Sequence, residues 1–374
     1  MPPVYLLIKP ASGMCNLKCR YCFYRDLMQK REKDSYGFMT LSTLEQVLKK
    51  SLHYAEGECT IAYQGGEPTL VGLDFFRQSI VLQRKYNHKG VTIHNAIQTN
   101  GIDLNEEWAE FFSANHFLVG ISVDGTARTH DAFRLDHQSR STFSRVMKTI
   151  RIFEKNHVEF NILTVVHAYT AKQIREIYRY YRARHFRYLQ FIPCLDPLGE
   201  VPGKESYSLS PKSYGQFLCS LFDLWYEDLL NGNEIHIRQF ENYIEMLMGY
   251  PPESCGMSGI CSYQHVVEAD GEVYPCDFYV TDHYKLGNLN ECDFEEIQNR
   301  RKEIQFIEES TYIDDSCKNC VYFRICRGGC RRSREPIANQ KLQLNYFCES
   351  YQMFFSYAGD RLISLARRFA GSVR

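Results

Sequence analysis

The N-terminal half of the chain alternates short apolar runs, typical of strands, with longer runs of helical periodicity. The strand candidates are Val4–Lys9, Thr60–Gln64, Val91–Gln98, Phe117–Val123, Phe160–Val166 and Tyr188–Pro193. Between them the spacing predicts helices near residues 42–56, 73–88, 105–114, 141–156 and 171–184. Strands joined by helices form parallel βαβ units. The chain is therefore predicted to have an α/β fold, either a full or partial barrel or a flat doubly wound sheet.

Polar segments containing glycine or cysteine follow the first four predicted strands. A cysteine loop follows the first strand, Gly65–Pro68 the second, Thr99–Gly101 the third and Asp124–Gly125 the fourth. Each segment could be an ordinary turn, because these residue types end strands anyway. Since the carboxyl ends of parallel strands carry the working residues of such folds, we expect these segments to form one site.

The chain has 15 cysteines, an unusual number for what we expect to be a cytoplasmic protein. Residues 1–4 enter the first strand directly and lack the pattern of a secretory signal. Clustered thiols in a reducing compartment more often bind metal than form disulfides, although a disulfide framework is an alternative. Four cysteines without close partners in the sequence are predicted to be packing residues: Cys59, Cys194, Cys219 and Cys292.

Charge and hydropathy argue against two kinds of partner. Lys and Arg number 44 against 45 acidic residues, so no net charge attracts nucleic acid or an anionic membrane. The longest apolar stretches, such as residues 117–123, are too short to span a bilayer. We also expect a monomer, because no heptad pattern or exposed apolar stripe is evident.

Three cysteines lie within eight residues after the first strand, in the pattern Cys15-x3-Cys19-x2-Cys22. Such a loop can place three thiolates on one face of a [4Fe–4S] cluster and leave one iron open to a small molecule. Clusters that only transfer electrons usually have four cysteine ligands. Zinc is the alternative metal, but a structural zinc site needs four ligands and the loop supplies three.

This cysteine pattern resembles the signature of radical S-adenosylmethionine (SAM) enzymes, including the aromatic Tyr21 before the third cysteine. Gly65-Gly66-Glu67 is similar to the family's glycine motif, which backs the methionine end of SAM. Glycines let the backbone approach a ligand closely, and Glu67 could hold an ammonium group. The resemblance implies a partial (β/α)6 barrel and cleavage of SAM to a 5′-deoxyadenosyl radical that abstracts a substrate hydrogen.

Cysteine density rises again after residue 251. From spacing alone, Cys317-x2-Cys320 with Cys326 and Cys330 could be a zinc knuckle. Beside the N-terminal motif, the order instead resembles the SPASM extension of radical SAM enzymes, whose eight thiolates hold two auxiliary [4Fe–4S] clusters. We therefore expect the barrel and a linker helix over 1–235, a Cys-rich SPASM domain over 236–348 and a C-terminal helix over 349–374.

Over nearly its whole length the chain resembles the anaerobic sulfatase-maturating enzymes. The resemblance rests on residues 7–10, 22–24, 63–69, 98–101, 273–279 and 328–332. It implies oxidation of a Cys or Ser of a sulfatase to Cα-formylglycine, by hydrogen abstraction from Cβ, removal of a proton and electron transfer to an auxiliary cluster. It also implies three [4Fe–4S] clusters, SAM, an unfolded or nascent sulfatase polypeptide as substrate and a flavodoxin- or ferredoxin-type reductant.

The same resemblance implies roles for individual residues. Asp277 would be the catalytic base, and Tyr24, Gln64 and Arg238 would lie on the peptide side of the pocket. The SAM contacts would be Tyr21, Gly66, Ser122, Arg134 and Leu195. One auxiliary cluster would be held by Cys255, Cys261, Cys276 and Cys330. The other would be held by Cys317, Cys320, Cys326 and Cys348.

Two other functions are compatible with these motifs. A SPASM-type maturase that forms thioether or other crosslinks in ribosomal peptides would often carry a recognition domain of about 80 residues before the barrel. The first predicted strand begins at residue 4, which favours sulfatase maturation. A ferredoxin-like electron carrier or zinc scaffold would not need the open three-cysteine site. The sequence does not distinguish Cys-type from Ser-type sulfatases as substrates.

Overall fold

The computed structural model describes residues 3–339 and 341–372. Residues 1, 2, 340, 373 and 374 lie outside the described residues. They include the first two residues of the segment that lacks a secretory signal pattern. The strands are β1 Val4–Ile8, β2 Glu58–Tyr63, β3 Thr92–Thr99, β4 Leu118–Ser122, β5 Phe160–Val166, β6 Tyr188–Pro193, β7 His236–Ile237, β8 His265–Val267, β9 Glu272–Tyr274 and β10 Gly287–Asn288.

The α-helices of the described residues are α1 Phe23–Gln29, α2 Leu41–Tyr54, α3 Leu73–Tyr86, α4 Glu106–Ala114, α5 Ala127–His130, α6 Phe143–Lys155, α7 Ala168–Lys172, α8 Ile174–Ala183, α9 Pro211–Leu230, α10 Arg238–Met248, α11 Phe294–Glu303, α12 Phe306–Ser310, α13 Asp315–Lys318, α14 Phe323–Cys326 and α15 Cys348–Ser372. Within this part of the chain, no helix is both long and apolar enough to cross a bilayer.

The six predicted strands are confirmed, each boundary to within two residues. The predicted helices between them are also present, and α2 shows why the pattern was informative. Its side chains Leu44, Val47, Leu48 and Leu52 are buried along one stripe, as in an amphipathic helix. The helix begins after Thr40, whose hydroxyl accepts a hydrogen bond from the helix backbone at 3.1 Å.

One compact unit comprises Met1–Ser122, Arg134–Phe160 and Tyr263–Phe306. Its strands lie in the order β10-β9-β8-β1-β2-β3-β4. β1 to β4 are parallel, with Ile8 opposite Tyr63 across β1 and β2. β8 pairs parallel to the other edge of β1, and β9 and β10 follow antiparallel. β8 to β10 have two or three residues each, which is too short for a periodic pattern to predict them.

A second compact unit comprises Val123–Phe133, Asn161–Ser262 and Ile307–Arg374. Its parallel strands follow the order β5-β6-β7. Aromatic side chains of its long helices pack together, and the ring of Phe222 on α9 lies 5.2 Å from that of Phe240 on α10 and 5.7 Å from that of Phe354 on α15. α15 corresponds to the C-terminal helix predicted over 349–374 and begins one residue earlier; residues 373 and 374 lie outside the described residues.

Candidate active site

Cys15, Cys19 and Cys22 lie in the loop between β1 and α1, and all three side chains are partly buried. Cys22 is the N-cap residue of α1, and its backbone N–H donates to the carbonyl oxygen of Cys19 at 3.3 Å. On the other side of Cys19, the N–H of Lys18 donates to the carbonyl oxygen of Leu135 at 2.7 Å. The loop is therefore fixed on both sides of Cys19.

Side-chain donors reach two of the three thiols. Asn100 Nδ2 donates to Cys15 Sγ at 3.6 Å, and Arg134 Nη1 donates to Cys19 Sγ at 4.0 Å. Burial raises the pKa of the Cys15 thiol, so an isolated thiolate is disfavoured there. Metal coordination deprotonates a thiol, and hydrogen bonds to sulfur tune iron–sulfur clusters. Three partly buried thiols, two of them with such donors, fit an iron–sulfur cluster.

Gly66 brings the loop after β2 against the cysteine loop. Its φ is +55°, and a Cβ at this position would lie 2.1 Å from the carbonyl oxygen of Met14. The next residue, Glu67, donates its N–H to the same oxygen at 2.7 Å. Only glycine therefore allows this approach of the two loops.

Both oxygens of the Glu67 carboxylate accept hydrogen bonds from its own chain. Oε1 accepts from Thr69 N–H at 3.1 Å, from Thr69 Oγ1 at 2.6 Å and from Thr99 Oγ1 at 2.8 Å. Oε2 accepts from the backbone N–H of Asn100 at 2.7 Å. In the structure this carboxylate joins the segments that follow β2 and β3, and its ability to hold an ammonium group stays a prediction.

The residues predicted to contact SAM fall in both units. Tyr21 and Arg134 are both buried, and the Arg134 guanidinium lies 5.5 Å from the centre of the Tyr21 ring. Ser122 is the last residue of β4 and is also buried. These residues and Gly66 belong to the first unit. Leu195 belongs to the second unit, two residues after β6, and is half-buried.

Asp277 is buried and is held through one of its carboxylate oxygens. Oδ2 accepts from Tyr24 Oη at 2.5 Å and from Gln64 Nε2 at 3.2 Å, and the same Gln64 nitrogen lies 2.8 Å from Tyr24 Oη. Oδ1 is buried and has no hydrogen-bond partner among the residues that the structure describes. Burial raises the pKa of Asp277, while the positive charge of Lys9 opposes that shift. The carboxylate therefore has one oxygen fixed and one available.

One set of four C-terminal thiols lies together in the second unit. Cys317, Cys320, Cys326 and Cys348 line a single cavity, with Tyr322, Phe323, Tyr351 and Phe355 as aromatic neighbours. Burial raises the pKa of the Cys326 thiol to about 11. Four thiols in a partly apolar cavity fit a fully ligated iron–sulfur cluster.

The other set of four thiols is divided between the units. Cys255, Cys261 and Cys330 belong to the second unit, and Cys276 to the first. The N–H of Cys261 donates to Ser310 Oγ at 2.9 Å. Three buried arginines follow Cys330 in the chain: Arg331, Arg332 and Arg334. In the described part of the chain, no disulfide joins any of the cysteines.

Several residues around the site were missed or differently assigned from the sequence. Asn100 was expected only as a polar strand end, and His137, whose Nε2 lies 2.9 Å from the carbonyl oxygen of Cys15, was not singled out. Lys9 is buried, and a charge ending an apolar strand before the cysteine loop was the available signal. Tyr24 contacts Asp277, whereas Arg238 belongs to the second unit and pairs with Glu253 at 2.9 Å.

Comparisons with known proteins agree with this arrangement. Family models match for the radical SAM superfamily over residues 10–181 and for an iron–sulfur cluster-binding domain, SPASM, over residues 255–321. The chain is 50% identical to the cysteine-type anaerobic sulfatase-maturating enzyme of Clostridium perfringens, over 98% of this chain and 99% of the relative. It is 31% identical to the serine-type enzyme of Bacteroides thetaiotaomicron, over 95% and 89% of the two chains.

A solved structure of native anSMEcpe with bound AdoMet and Cp18Cys peptide is also similar. The TM-score is 0.94 at 49% sequence identity, with 98% of this chain and 100% of that chain covered. These matches confirm the predicted α/β fold class, a partial (β/α)6 barrel with a C-terminal Cys-rich domain.

Proposed function

This chain belongs to the anaerobic sulfatase-maturating enzymes of the radical SAM superfamily, and we propose that Asp277 is the base of its reaction. It is a radical SAM oxidoreductase that converts a Cys or Ser of a sulfatase to Cα-formylglycine. The role of Asp277 as the base rests on its two carboxylate oxygens. Oδ1 is buried and has no hydrogen-bond partner among the described residues, whereas Oδ2 accepts a hydrogen bond from Tyr24.

The enzyme uses SAM and three [4Fe–4S] clusters. We assign Cys15, Cys19 and Cys22 to the cluster that binds SAM, because three ligands leave one iron open. When bound, these groups would supply a 5′-deoxyadenosyl radical that takes a hydrogen atom from Cβ of the target residue, and an auxiliary cluster would accept the second electron. With a Cys target the oxidised product is a thioaldehyde, which water hydrolyses to the aldehyde with release of hydrogen sulfide. Asn100 and Arg134 hold the thiols in place through their hydrogen bonds to sulfur.

Asp277 removes the S–H or O–H proton of the target residue. Tyr24 and Gln64 occupy Oδ2, so the proton is accepted at Oδ1. Burial raises the pKa of Asp277 toward the range in which a carboxylate is an effective base. The two donors to Oδ2 keep the carboxylate from rotating, which fixes the oxygen that receives the proton.

SAM is held by residues from the ends of several strands. We assign Gly66 to the methionine end of SAM by its match to the family's glycine motif; its missing side chain lets the loop after β2 lie against Met14 of the cysteine loop. We assign the remaining contacts to Tyr21, Ser122, Arg134 and Leu195. The buried Arg134 guanidinium, stacked on Tyr21, supplies the positive charge that suits the carboxylate of SAM.

The auxiliary clusters take the eight C-terminal thiols in two sets of four. Cys317, Cys320, Cys326 and Cys348 are one set, supported by their shared cavity. Cys255, Cys261, Cys276 and Cys330 are the other, supported by the family's ligand order. We assign the SPASM domain to 236–348, after a barrel and linker helix over 1–235 and before a C-terminal helix over 349–374.

The substrate is a sulfatase peptide, and we propose that it is of the Cys type. Identity to the cysteine-type relative is 50%, against 31% to the serine-type relative.

We further propose an unfolded or nascent sulfatase polypeptide, a flavodoxin- or ferredoxin-type reductant, a monomeric enzyme and a cytoplasmic location. The chain has 44 basic and 45 acidic residues, and this near-zero net charge gives no support for a nucleic-acid or membrane partner.

Three synthetic peptides test this function. The reconstituted enzyme is incubated without oxygen with SAM, a reductant and a sulfatase-site peptide that carries Cys, Ser or Ala at the target position. Mass spectrometry should show thiol-to-aldehyde conversion of the Cys peptide and no change in the Ala peptide. Faster conversion of the Ser peptide contradicts the Cys-type assignment, and a crosslinked product contradicts sulfatase maturation.

A further inference from the structure

A buried ion cluster lies near the Tyr24–Asp277 pair. Glu268, directly after β8, accepts a hydrogen bond from Arg31 Nη1 at 2.6 Å, and its Oε2 lies 3.3 Å from Lys9 Nζ. The side chains of these three residues are at most 2% exposed. We refer to them as the Lys9–Glu268–Arg31 cluster. The function described above gives none of the three a role.

Lys9 is the member of this cluster that reaches Tyr24. Its Nζ lies 5.1 Å from the centre of the Tyr24 ring, a distance typical of a cation–π contact. Arg31 instead donates to Ser12 Oγ at 3.2 Å and to the carbonyl oxygen of Asp34 at 2.7 Å. Glu268 therefore anchors two cations, of which Lys9 lies against the Tyr24 ring.

The glycine motif makes room for Lys9. Gly65 has a φ of +97°, and a Cβ there would lie 2.5 Å from Lys9 Cε and 2.8 Å from Lys9 Cγ. The stem of Lys9 thus lies against the loop after β2, and the first glycine of the motif is needed for that contact. The position of the ammonium is set from both sides, by Glu268 and by this loop.

The charges of the cluster and of Asp277 balance when they are counted together. Lys9 and Arg31 carry two positive charges, and Glu268 and Asp277 carry two negative charges when ionised. An uncompensated buried charge is strongly destabilising, so loss of Lys9 alone would affect folding as well as function. Loss of Lys9 together with the charge of Glu268 removes one positive and one negative charge, so the net charge of these four side chains is unchanged.

We propose that Lys9 is a positioning residue for the proton transfer: held by Glu268 and Gly65, its ammonium fixes the Tyr24 ring, and Tyr24 in turn fixes Oδ2 of Asp277. Oδ1 is thereby kept in place for the target residue. This inference rests on the proposed role of Asp277 as the base. It adds that the ion cluster acts on the reaction through Tyr24 and not only on the stability of the fold.

The test uses the full-length reconstituted enzyme with the Cys-containing peptide. The key variant is Lys9→Met combined with Glu268→Gln, which removes the ion pair without leaving a net charge. Thermal unfolding reports how much of the variant is folded, because the buried Arg31 loses its carboxylate partner. For the folded enzyme we expect a KM for the peptide within about twofold and a kcat lowered about tenfold or more, because small misplacements of reacting groups cost up to about 10²-fold. The amount of 5′-deoxyadenosine formed per formylglycine should rise, which loss of a purely structural pair would not cause.

Tyr24→Phe provides a second variant that keeps the ring but removes the donor to Asp277. If Lys9 acts through Tyr24, adding the double substitution to Tyr24→Phe should lower kcat little below that of Tyr24→Phe alone. If the two reductions in kcat multiply instead, the effects are independent and the proposal is overturned. A wild-type kcat in the Lys9→Met, Glu268→Gln variant would also overturn it. The matched control removes the exposed ion pair Lys155–Glu106 by Lys155→Met and Glu106→Gln, and should leave kcat unchanged.

Asp277→Asn, measured in parallel, separates the proposed role of Asp277 as the base from the proposed role of Lys9. If Asp277→Asn retains wild-type kcat, the proposed base is wrong. If Asp277→Asn is inactive while the Lys9→Met, Glu268→Gln variant is fully active, the base stands and only the inference about Lys9 is wrong.

Discussion

Tyr24 donates a hydrogen bond of 2.5 Å to Oδ2 of Asp277, across a separation of 253 residues in the sequence. Tyr24 lies two residues after Cys22, the last thiol of the N-terminal loop, and Asp277 directly follows Cys276. The bond therefore joins a residue of the cysteine loop to the proposed proton acceptor. Any shift of that loop would be transmitted to the base.

Asp277→Asn should abolish formylglycine formation while the protein still folds, because asparagine keeps the shape of the side chain but cannot accept the proton. Loss of a general base lowers rates by about 10²–10⁴-fold. The measurement is the initial rate of product formation by mass spectrometry. Asp74→Asn is the matched control, since that side chain is 90% exposed, and it should retain the wild-type rate. Equal rates in both variants would rule out Asp277 as the base.

Glu67→Gln should destabilise the first unit. The carboxylate accepts four hydrogen bonds, and an amide offers one acceptor oxygen and an NH2 group that would face donors. Buried donors left without partners cost about 1–3 kcal/mol each, so the thermal midpoint should fall clearly. Glu58→Gln, at an exposed position of β2, is the control and should unfold like wild type. An unchanged midpoint for Glu67→Gln would show that these bonds contribute little.

Gly66→Ala should reduce SAM binding and lower stability, because the added Cβ would lie 2.1 Å from the carbonyl oxygen of Met14. Gly57→Ala is the control: its φ is also positive, at +73°, but no atom lies within 4 Å of the added Cβ. The comparison separates backbone strain from steric overlap. Equilibrium binding of SAM should be weakened in Gly66→Ala only, and similar losses in both variants would point to strain alone.

Cys320→Ala should damage one auxiliary cluster and leave SAM cleavage intact. The iron content should fall by roughly one to four iron atoms per chain, because one iron of the cluster in the cavity lined by Cys317, Cys326 and Cys348 would lose its cysteine ligand. Formation of 5′-deoxyadenosine should persist. Cys59→Ala is the control, since that buried cysteine is proposed only to pack, and its iron content should match wild type. Complete loss of 5′-deoxyadenosine in Cys320→Ala would contradict the separation of the clusters.

The sequence predicted the parallel strands well because each apolar run is bounded by turn residues and separated by a helix with a clear apolar stripe. It could not predict β8 beside β1, since a three-residue strand has no periodicity and its partner lies 259 residues away, Leu6 being opposite His265. The sequence likewise could not predict that Glu67 bonds to Thr99 and Asn100, which are brought to it by the register of β2 and β3. Its role in holding an ammonium group stays a prediction.

For the site, spacing alone identified the three thiols of the N-terminal loop, because they lie within eight residues. The ligand sets of the auxiliary clusters were implied only by resemblance, and they stay predictions. Lys9 was missed because its role depends on Glu268 and Gly65, which are distant in sequence or have no side chain to signal a contact.

The most direct test of the account compares wild-type enzyme with a variant carrying Cys15→Ala, Cys19→Ala and Cys22→Ala. After anoxic reconstitution, both are given SAM and a strong reductant, and 5′-deoxyadenosine is quantified. We predict that wild type forms 5′-deoxyadenosine, whereas the variant retains the iron of the auxiliary clusters and forms none. Formation of 5′-deoxyadenosine by the variant at the wild-type rate would contradict the assignment of these three thiols to the SAM-binding cluster.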